Sequence, residues 1–186
     1  MIYIIMGVSG CGKSALGAFL SDKLGWPLHE GDSFHPQGNI EKMARGEPLT
    51  DQDRLPWLLK LHDIIERERR SRSDALVACS ALKHLYRQIL LYGSKALAGP
   101  HQDILPAASP DVFFLFLHGD YELIQERMVA RRGHYMKADL LCSQFDVLEP
   151  PSDKENVLLL DIRRSITDIT MEVEKHIISF KSSPIL

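Results

Sequence analysis

The stretch that decides the fold is Gly7-Val8-Ser9-Gly10-Cys11-Gly12-Lys13-Ser14, which has the pattern G-x-x-x-x-G-K-[ST]. Glycines at its fixed positions, Gly7 and Gly12, let the backbone turn tightly and bring N–H groups against phosphate oxygens. Lys13 supplies a cation for the β- and γ-phosphates of a nucleotide, and the Ser14 hydroxyl is a ligand for Mg²⁺. The loop residues between them are predicted to surround the same triphosphate: Val8, Ser9, Gly10 and Cys11.

The flanks of this loop fit the motif. Residues 1–6 are an apolar run of strand length, and apolar side chains recur downstream at helical spacing, at Leu16, Phe19, Leu20 and Leu24. The loop is therefore expected to join a strand to the N-terminus of a helix, whose dipole adds to the anion site.

Composition narrows the class of protein. The chain has 186 residues, 45% of them apolar and 25% charged, which fits one globular domain spanning residues 1–186. Because the formal net charge is −3, no basic excess exists for a nucleic-acid partner. No apolar stretch is long enough to cross a bilayer, and no signal peptide is recognisable, so no membrane partner is expected. Three cysteines without C-x-x-C spacing indicate neither disulfides nor zinc, and a reduced, cytoplasmic protein is expected.

Apolar runs alternate with amphipathic helices along the whole chain, which is typical of an α/β fold with a parallel sheet. Five strands are predicted, the last three of them covered on both faces because they are almost continuously apolar. A long helix is predicted over about 52–70, and a C-terminal helix carries an apolar face from Ile166 to Ile177. The predicted strands are residues 1–6, 28–31, 75–79, 112–117 and 157–161.

Two segments interrupt this pattern. Residues 93–110 contain three prolines and two glycines, and they are long for a structureless connection, so they predict a mobile surface insertion. Residues 131–137 place a basic, glycine-containing turn within a helical stretch, a composition that suits a hinged lid.

Two carboxylates follow the second predicted strand. At strand period two, Glu30 and Asp32 project to the same side, at the sheet edge where open parallel sheets bind ligands. One of them is expected to organise Mg²⁺ waters, and the other to accept a proton from an attacking hydroxyl. The alternative is a solvated acidic turn.

Basic residues follow at three further places. Thr50 and Asp53 resemble a capping box, which puts Arg54 in the first turn of a helix, where the helix dipole disfavours a cation. Arg54 therefore either binds a ligand or is an ordinary surface residue. Three polar residues follow the third strand: Ser80, Lys83 and Arg87. They form either a polar rim that binds an anionic or hydroxylated substrate or a plain helix surface. Arg127 and Arg131 lie four residues apart before the lid, where they are expected to stabilise phosphoryl-transfer charge rather than form a solvated face.

Taken together, these motifs resemble the gluconate kinases, small P-loop kinases related to shikimate kinase. The resemblance extends over nearly the whole chain, and its most specific parts surround Asp51 to Trp57 and Cys79 to Lys83. The matching strings are Met6-Gly7-Val8-Ser9-Gly10-x-Gly12-Lys13-Ser14, Gly31-Asp32-x-x-His35-Pro36, Asn39-Ile40-Glu41-Lys42-Met43, Gly46-x-Pro48-Leu49-x-Asp51-x-Asp53-Arg54-x-Pro56-Trp57, Cys79-Ser80-Ala81-Leu82-Lys83, Tyr86-Arg87, Arg131-x-Gly133-His134 and Gln144-Phe145.

The resemblance implies a three-layer α/β/α P-loop kinase with a five-stranded parallel sheet and a mobile lid. It implies transfer of the ATP γ-phosphate to the 6-hydroxyl of D-gluconate, with Mg²⁺, by a cytoplasmic homodimer. Asp32 corresponds to the carboxylate that engages the acceptor hydroxyl, and Arg54 to the substrate-carboxylate arginine. The other implied contacts are Arg127 and catalytic Arg131 with the nucleotide, His35, Ser80, Lys83 and Arg87 with the substrate, and Ser14 and Glu30 with the metal.

Some features depart from the family pattern. Glu30 stands where aspartate is frequent, and Tyr135 stands for a phenylalanine in the lid. A kinase for a shikimate-like acid or another aldonate stays open, and so, less favoured, does a nucleotide-sensing P-loop module. Cys11 is unexplained: its place near Lys13 and a helix N-terminus predicts a reactive thiolate, while the alternative is a small inert residue.

Overall fold

The computed structural model describes residues 1–97, 105–132 and 138–183, with the side chains of residues 131, 132 and 138–140 outside the description. Five strands in it form one sheet, in the order β2-β3-β1-β4-β5, and every neighbouring pair is parallel. The predicted five-stranded parallel sheet is confirmed. The strands are β1 Ile2–Met6, β2 Leu28–Glu30, β3 Ala75–Ala78, β4 Val112–His118 and β5 Val157–Asp161.

Seven α-helices connect or flank the strands within the described residues. Short 3₁₀ helices add Gly31–Phe34 after β2 and Gly93–Leu97 after the fourth helix. None of the described helices combines the length and the apolar character that a membrane crossing requires. The α-helices are α1 Lys13–Leu24, α2 Gln37–Ala44, α3 Asp51–Arg70, α4 His84–Tyr92, α5 Tyr121–Arg132, α6 Ala138–Val147 and α7 Ile166–Ser182.

The alternation of side chains along β1 creates two cores. Ile2 and Ile4 face a cluster built with α3 and α4, whereas Tyr3 and Ile5 face a cluster built with α1, α5 and α7. The sheet is thus covered by helices on both sides, and the predicted three-layer α/β/α arrangement is confirmed.

The expectation that the last three strands are covered on both faces is correct for β3 and β4 but wrong for β5. β5 pairs only with β4 and forms the edge of the sheet, and Leu159 is 59% exposed. Phe19, expected on the buried face of α1, is likewise exposed. An apolar run indicates that a strand is hydrophobic but not where it lies in the sheet. For this reason the sequence pattern predicts an interior position for β5, which is an edge strand.

A capping box starts α3 and fixes Arg54 relative to α2. The Thr50 hydroxyl accepts from Asp53 N–H at 3.0 Å, and Asp53 Oδ2 accepts from Thr50 N–H at 2.9 Å. The same carboxylate accepts from Lys42 Nζ on α2 at 2.8 Å, and these bonds, led by that from Lys42, lower the pKa of Asp53 to about 2. The predicted cap is therefore real, and it also joins two helices beside the site.

The described parts of residues 93–110 differ from the expected structureless insertion. Gly93–Leu97 is a 3₁₀ helix in which Ala96 is buried, and Ser109 is buried beside the start of β4. The Tyr92 hydroxyl donates to Pro106 O at 2.7 Å. Packing against α3 and α4 orders these ends in spite of their glycines and prolines, while residues 98–104 lie outside the described chain.

Arg87 is a buried structural cation. Its side chain and that of its partner Glu155 are each 1% exposed, and Arg87 Nε donates to Glu155 Oε1 at 2.7 Å. The remaining guanidinium nitrogens donate to Ala81 O at 2.8 Å and Glu149 O at 2.9 Å. Arg87 thereby joins α4 to the turn after β3 and to the segment that precedes β5.

We expect Arg87→Ala to lower the free energy of unfolding by about 3–5 kcal/mol, since it leaves the Glu155 carboxylate buried without its guanidinium partner. Denaturant unfolding followed by circular dichroism measures this. Arg164→Ala removes an exposed ion pair with Glu172 and is the matched control, expected to cost less than about 1 kcal/mol. Equal effects of the two variants would contradict the structural role of Arg87.

Candidate active site

The loop between β1 and α1 requires glycine at its fixed positions. Gly7 has φ 145°, and a Cβ there would lie 2.7 Å from Leu117 O and 2.6 Å from Cys11 Sγ. Gly12 has φ 104° and is the N-cap of α1. Because side chains are strained in this left-handed region, the glycine pattern follows from the backbone geometry, and α1 begins directly at Lys13.

Two side chains make contacts on the loop itself. Lys13 Nζ donates to Gly7 O at 2.9 Å and to Val8 O at 3.1 Å. Gln144, on α6, accepts from Ser9 N–H at 2.7 Å and donates to Ser9 Oγ at 3.0 Å. The motif argument gave Gln144 no role, and only its place in the matching strings singled it out.

A cavity of about 360 Å³ lies beside the loop, at the carboxyl ends of β1, β2 and β3. Much of the predicted site lines it: Ser9, Lys13, Ser14, Glu30, Asp32, His35, Arg54, Ser80 and Lys83. Further lining residues were given no site role, because their spacing forms no motif, although all of them except Glu47 and Val147 stand in the strings that match the family. They are Met43, Glu47, Pro48, Leu49, Trp57, Tyr86, Gln144 and Val147.

The two predicted carboxylates reach this cavity by a different route from the one expected. β2 ends at Glu30, and the chain turns into the 3₁₀ helix Gly31–Phe34, so strand alternation does not relate Glu30 to Asp32. The turn is tight, because a Cβ on Gly31 would collide with Ala78 O on β3. Both carboxylates nevertheless line the cavity.

Ser14 and Glu30 fit a magnesium site. Ser14 Oγ donates to Glu30 Oε2 at 3.3 Å, so a hydroxyl oxygen and a carboxylate oxygen stand side by side next to the loop. The described residues contain no cluster of three or more acidic, histidine or cysteine side chains that could hold a metal. Two side-chain oxygens are enough for Mg²⁺, which protein sites bind through one or two carboxylates together with substrate phosphates and water.

Asp32 and His35 face each other at the cavity wall. The Asp32 side chain is 97% exposed, whereas that of His35 is 3% exposed, and His35 Nε2 lies 4.0 Å from Asp32 Oδ1. The imidazole stacks on the Trp57 indole with ring centroids 4.1 Å apart. Burial lowers the pKa of His35, against the opposing charge of Asp32.

Arg54 and Lys83 flank Tyr86 but differ in their charge partners. Each cationic group lies 5.5 Å from the Tyr86 ring centroid. Lys83 Nζ donates to Asp51 Oδ1 at 2.9 Å, and the Tyr86 hydroxyl donates to the same oxygen. Arg54 Nε is buried and has no hydrogen-bond partner among the described residues. At this end of the cavity, Arg54 is therefore the cation that has a buried hydrogen-bond donor left unpaired by the described residues.

The turn after β3 is strained beside Ser80. Ala81 has φ 46°, in the left-handed region that non-glycine residues rarely adopt. Ser80 O accepts from Gly7 N–H at 3.2 Å and so joins this turn to the phosphate loop. Strained backbone of this kind is concentrated at functional sites, where surrounding contacts hold it.

The comparisons with known proteins agree with this geometry. A Xenopus tropicalis protein named as a probable gluconokinase is 45% identical over 94% of this chain and 92% of its own length. The chain belongs to the gluconokinase family. The thermoresistant gluconokinase of Escherichia coli is 40% identical over 94% of this chain and 93% of its own length. No family model matches the chain.

The solved structures agree as well. The crystal structure of a gluconokinase from Sinorhizobium meliloti superposes with a TM-score of 0.77, at 35% identity and over 97% of each chain. The P-loop kinase fold expected from the sequence is thereby confirmed.

Two of the predicted arginines, Arg87 and Arg127, are not among the described residues that line the cavity. Arg87 does not line the cavity, and its guanidinium is satisfied by Glu155 and two carbonyls, so the structure contradicts its predicted place among the substrate contacts. Arg127 Nη2 donates to Ile162 O at 2.6 Å, directly after β5. The side chain of Arg131 and most of the predicted lid, residues 133–137, lie outside the described residues.

Cys11 is enclosed, contrary to the expectation of a reactive thiolate. It is 3% exposed, and burial raises its pKa, outweighing the nearby charge of Lys13. Burial also raises the pKa of Cys79 to about 12. The dipole and the lysine were visible in the sequence, but the desolvation that outweighs them was not.

We therefore expect alkylation of the native enzyme to modify Cys142, which is exposed, well before Cys11 or Cys79. Mass spectrometry of peptides after timed iodoacetamide treatment gives the order of reaction. Cys142→Ser is the control: if the structure is right, this variant keeps its activity under conditions that alkylate the wild-type protein. Rapid modification of Cys11 that ATP prevents would restore the thiolate interpretation.

Proposed function

We propose that this protein transfers the γ-phosphoryl group of ATP to the 6-hydroxyl of D-gluconate, forming 6-phospho-D-gluconate and ADP. The observation that carries the proposal is one cavity in which Lys13 and Ser14 of the phosphate loop meet Asp32 and Arg54, whose buried Nε has no hydrogen-bond partner among the described residues. The named activity of the gluconokinase relatives supports the choice of gluconate.

On the nucleotide side, the loop N–H groups and Lys13 bind the phosphates. Lys13 Nζ exchanges its two loop carbonyls for phosphate oxygens, and its charge stabilises the negative charge that develops during transfer. Ser14 and Glu30 would hold Mg²⁺, which when bound neutralises phosphate charge. Following the family resemblance, Arg127 and Arg131 are proposed as nucleotide and lid contacts.

On the acceptor side, Asp32 orients the 6-hydroxyl and takes its proton as the bond from O6 to the γ-phosphorus forms. The bond from that phosphorus to the β–γ bridging oxygen breaks, and its electron pair leaves on ADP. Because the Asp32 side chain is almost fully exposed, its carboxylate is free to turn toward a bound sugar acid.

At the far end of the cavity, Arg54 is proposed to hold the gluconate carboxylate through its guanidinium fork. Ser80 and Lys83 offer polar groups to the hydroxyl-bearing carbons between the two ends, and His35 lines the same cavity beside Asp32. Asp51 already compensates the charge of Lys83, so Lys83 is assigned to hydroxyl contacts.

The homodimeric state and the cytoplasmic location are proposed from the family resemblance alone. Light scattering coupled to gel filtration tests the first, and cell fractionation with antibody detection tests the second.

Coupled detection of ADP, with ATP and a panel of sugar acids, tests the proposed activity. We expect turnover with D-gluconate, slower turnover with other aldonates and none with shikimate. Phosphorus NMR of the product locates the phosphate on carbon 6. ADP formation that needs no acceptor would instead indicate a hydrolase or a nucleotide switch.

Lys13→Met is expected to abolish phosphoryl transfer while the protein stays folded, because the lost charge acts mainly on the transition state. The coupled assay measures the loss, and circular dichroism checks the fold. Lys23→Met, at an exposed lysine on the same helix, is the control and should keep its activity. A folded Lys13→Met enzyme with unchanged kcat would contradict the assignment of the phosphate loop.

Arg54→Lys is expected to raise the KM for gluconate by about 10-fold to 100-fold and to leave the KM for ATP almost unchanged. The reason is that an ammonium group cannot replace a bidentate guanidinium contact worth about 1.5–3 kcal/mol. Separate KM measurements for the two substrates check this. A neutral polyol of the same length, used as the acceptor, should be insensitive to the change. If Lys83→Met raises the KM for gluconate more than Arg54→Lys does, Lys83 and not Arg54 binds the gluconate carboxylate.

A further inference from the structure

Asn39 makes two contacts through one atom. It is 5% exposed on α2, and its Nδ2 lies 2.8 Å from Asp53 O and 3.2 Å from His35 Nδ1. A backbone carbonyl only accepts hydrogen bonds, so the contact with Asp53 identifies this end of the Asn39 amide as the NH₂ group.

The same contact decides the tautomer of His35. Since the Asn39 NH₂ group only donates, His35 Nδ1 must accept and therefore carries no proton. In a neutral imidazole the proton is then on Nε2, the nitrogen that lies 4.0 Å from Asp32 Oδ1. A cationic imidazole carries a proton on both nitrogens, so an accepting Nδ1 requires the neutral ring, and burial favours the same form by lowering the pKa of His35.

The His35 ring is also held in place by its surroundings. It stacks on Trp57 with an interplanar angle of 18°, and the Trp57 indole N–H donates to Gly31 O at 2.7 Å. Gly31 directly precedes Asp32 in the 3₁₀ helix. The indole thus supports the imidazole and the backbone next to Asp32 together.

We propose that Asn39 is a positioning residue that fixes His35 as the Nε2–H tautomer, and that this N–H holds the Asp32 carboxylate toward the acceptor hydroxyl. The 4.0 Å separation exceeds a hydrogen bond, and rotation of the exposed Asp32 side chain closes it. One Asp32 oxygen then accepts from His35, and the other is left for the hydroxyl. The role given to Asp32 rests on the proposed function, whereas the tautomer of His35 does not.

Long-range proton–nitrogen correlation NMR of the ligand-free, full-length protein tests the tautomer directly. The spectrum of His35→Gln identifies the His35 signals among those of the eight histidines. We expect Nδ1 to show the shift of an unprotonated ring nitrogen and Nε2 that of a protonated one. The opposite pattern, or a mixture of the two tautomers, overturns the proposal whether or not the protein phosphorylates gluconate.

Replacement of His35 separates positioning of Asp32 from direct contact with the sugar. His35→Leu should lower kcat about 10-fold to 100-fold with little change in the KM for gluconate, the usual effect of removing a group that orients a site residue. His35→Gln, which offers an N–H near the place of Nε2, should recover most of that loss. A rise in KM at unchanged kcat would mean that His35 contacts the substrate and would overturn the positioning role.

A double-mutant cycle shows whether His35 acts through Asp32. In an Asp32→Asn background, His35→Leu should cause almost no further loss of kcat, because the group it orients has been replaced. Losses that multiply would show that the two residues act independently and would contradict the proposal.

Asn39→Asp completes the test, because its carboxylate accepts from Nδ1–H and so draws the proton away from Nε2. Both the NMR pattern and kcat should change. Gln37→Glu introduces the same charge at an exposed position of α2 and should change neither. If Asn39→Asp fails to fold, the wild-type spectrum still tests the tautomer of His35, and the His35 variants still test whether this residue positions Asp32. A folded Asn39→Asp protein with an unaltered tautomer overturns the role of Asn39.

Discussion

Parallel pairing of β1 with β3 on one side and β4 on the other is the constraint on which the rest of the structure depends. All five residues of β1 are buried, and its carboxyl end leads directly into the phosphate loop. Because β2 lies next to β3 in the same direction, the carboxyl ends of β2, β3 and β1 meet at one edge of the sheet. The residues after these strands are far apart in sequence, and this edge brings them to one cavity.

Much of this arrangement could be predicted from the sequence, because the decisive patterns are local. The loop glycines, the run of β1 and the capping box at Thr50 each follow from short-range backbone requirements, and the structure contains all three. The predictions that were wrong depend on contacts between residues far apart in the sequence. The exposure of Leu159 depends on strand order, and the route from Glu30 to Asp32 depends on a turn packed against Ala78, neither of which periodicity records.

The basic residues show the same limit more sharply. Lys83, Arg87 and Arg54 are equivalent candidates in the sequence, but burial and partners separate them. Arg87 is enclosed with Glu155, Lys83 is matched by Asp51, and only Arg54 among the three has a buried nitrogen without a partner in the described chain. Charge type is visible in a sequence, whereas charge compensation needs contacts between residues far apart along it.

The division between exposed Asp32 and buried His35 has a physical reason. In its proposed role, the Asp32 carboxylate meets a hydroxyl from solvent and has to stay hydrated and free to turn, and burial would raise the free energy of its charged form. An exposed side chain, however, samples many orientations, and few of them suit transfer. In the arrangement we propose, the rigid group is the neighbouring neutral imidazole, which Trp57 and Asn39 hold in place. Its N–H orders the carboxylate without desolvating it.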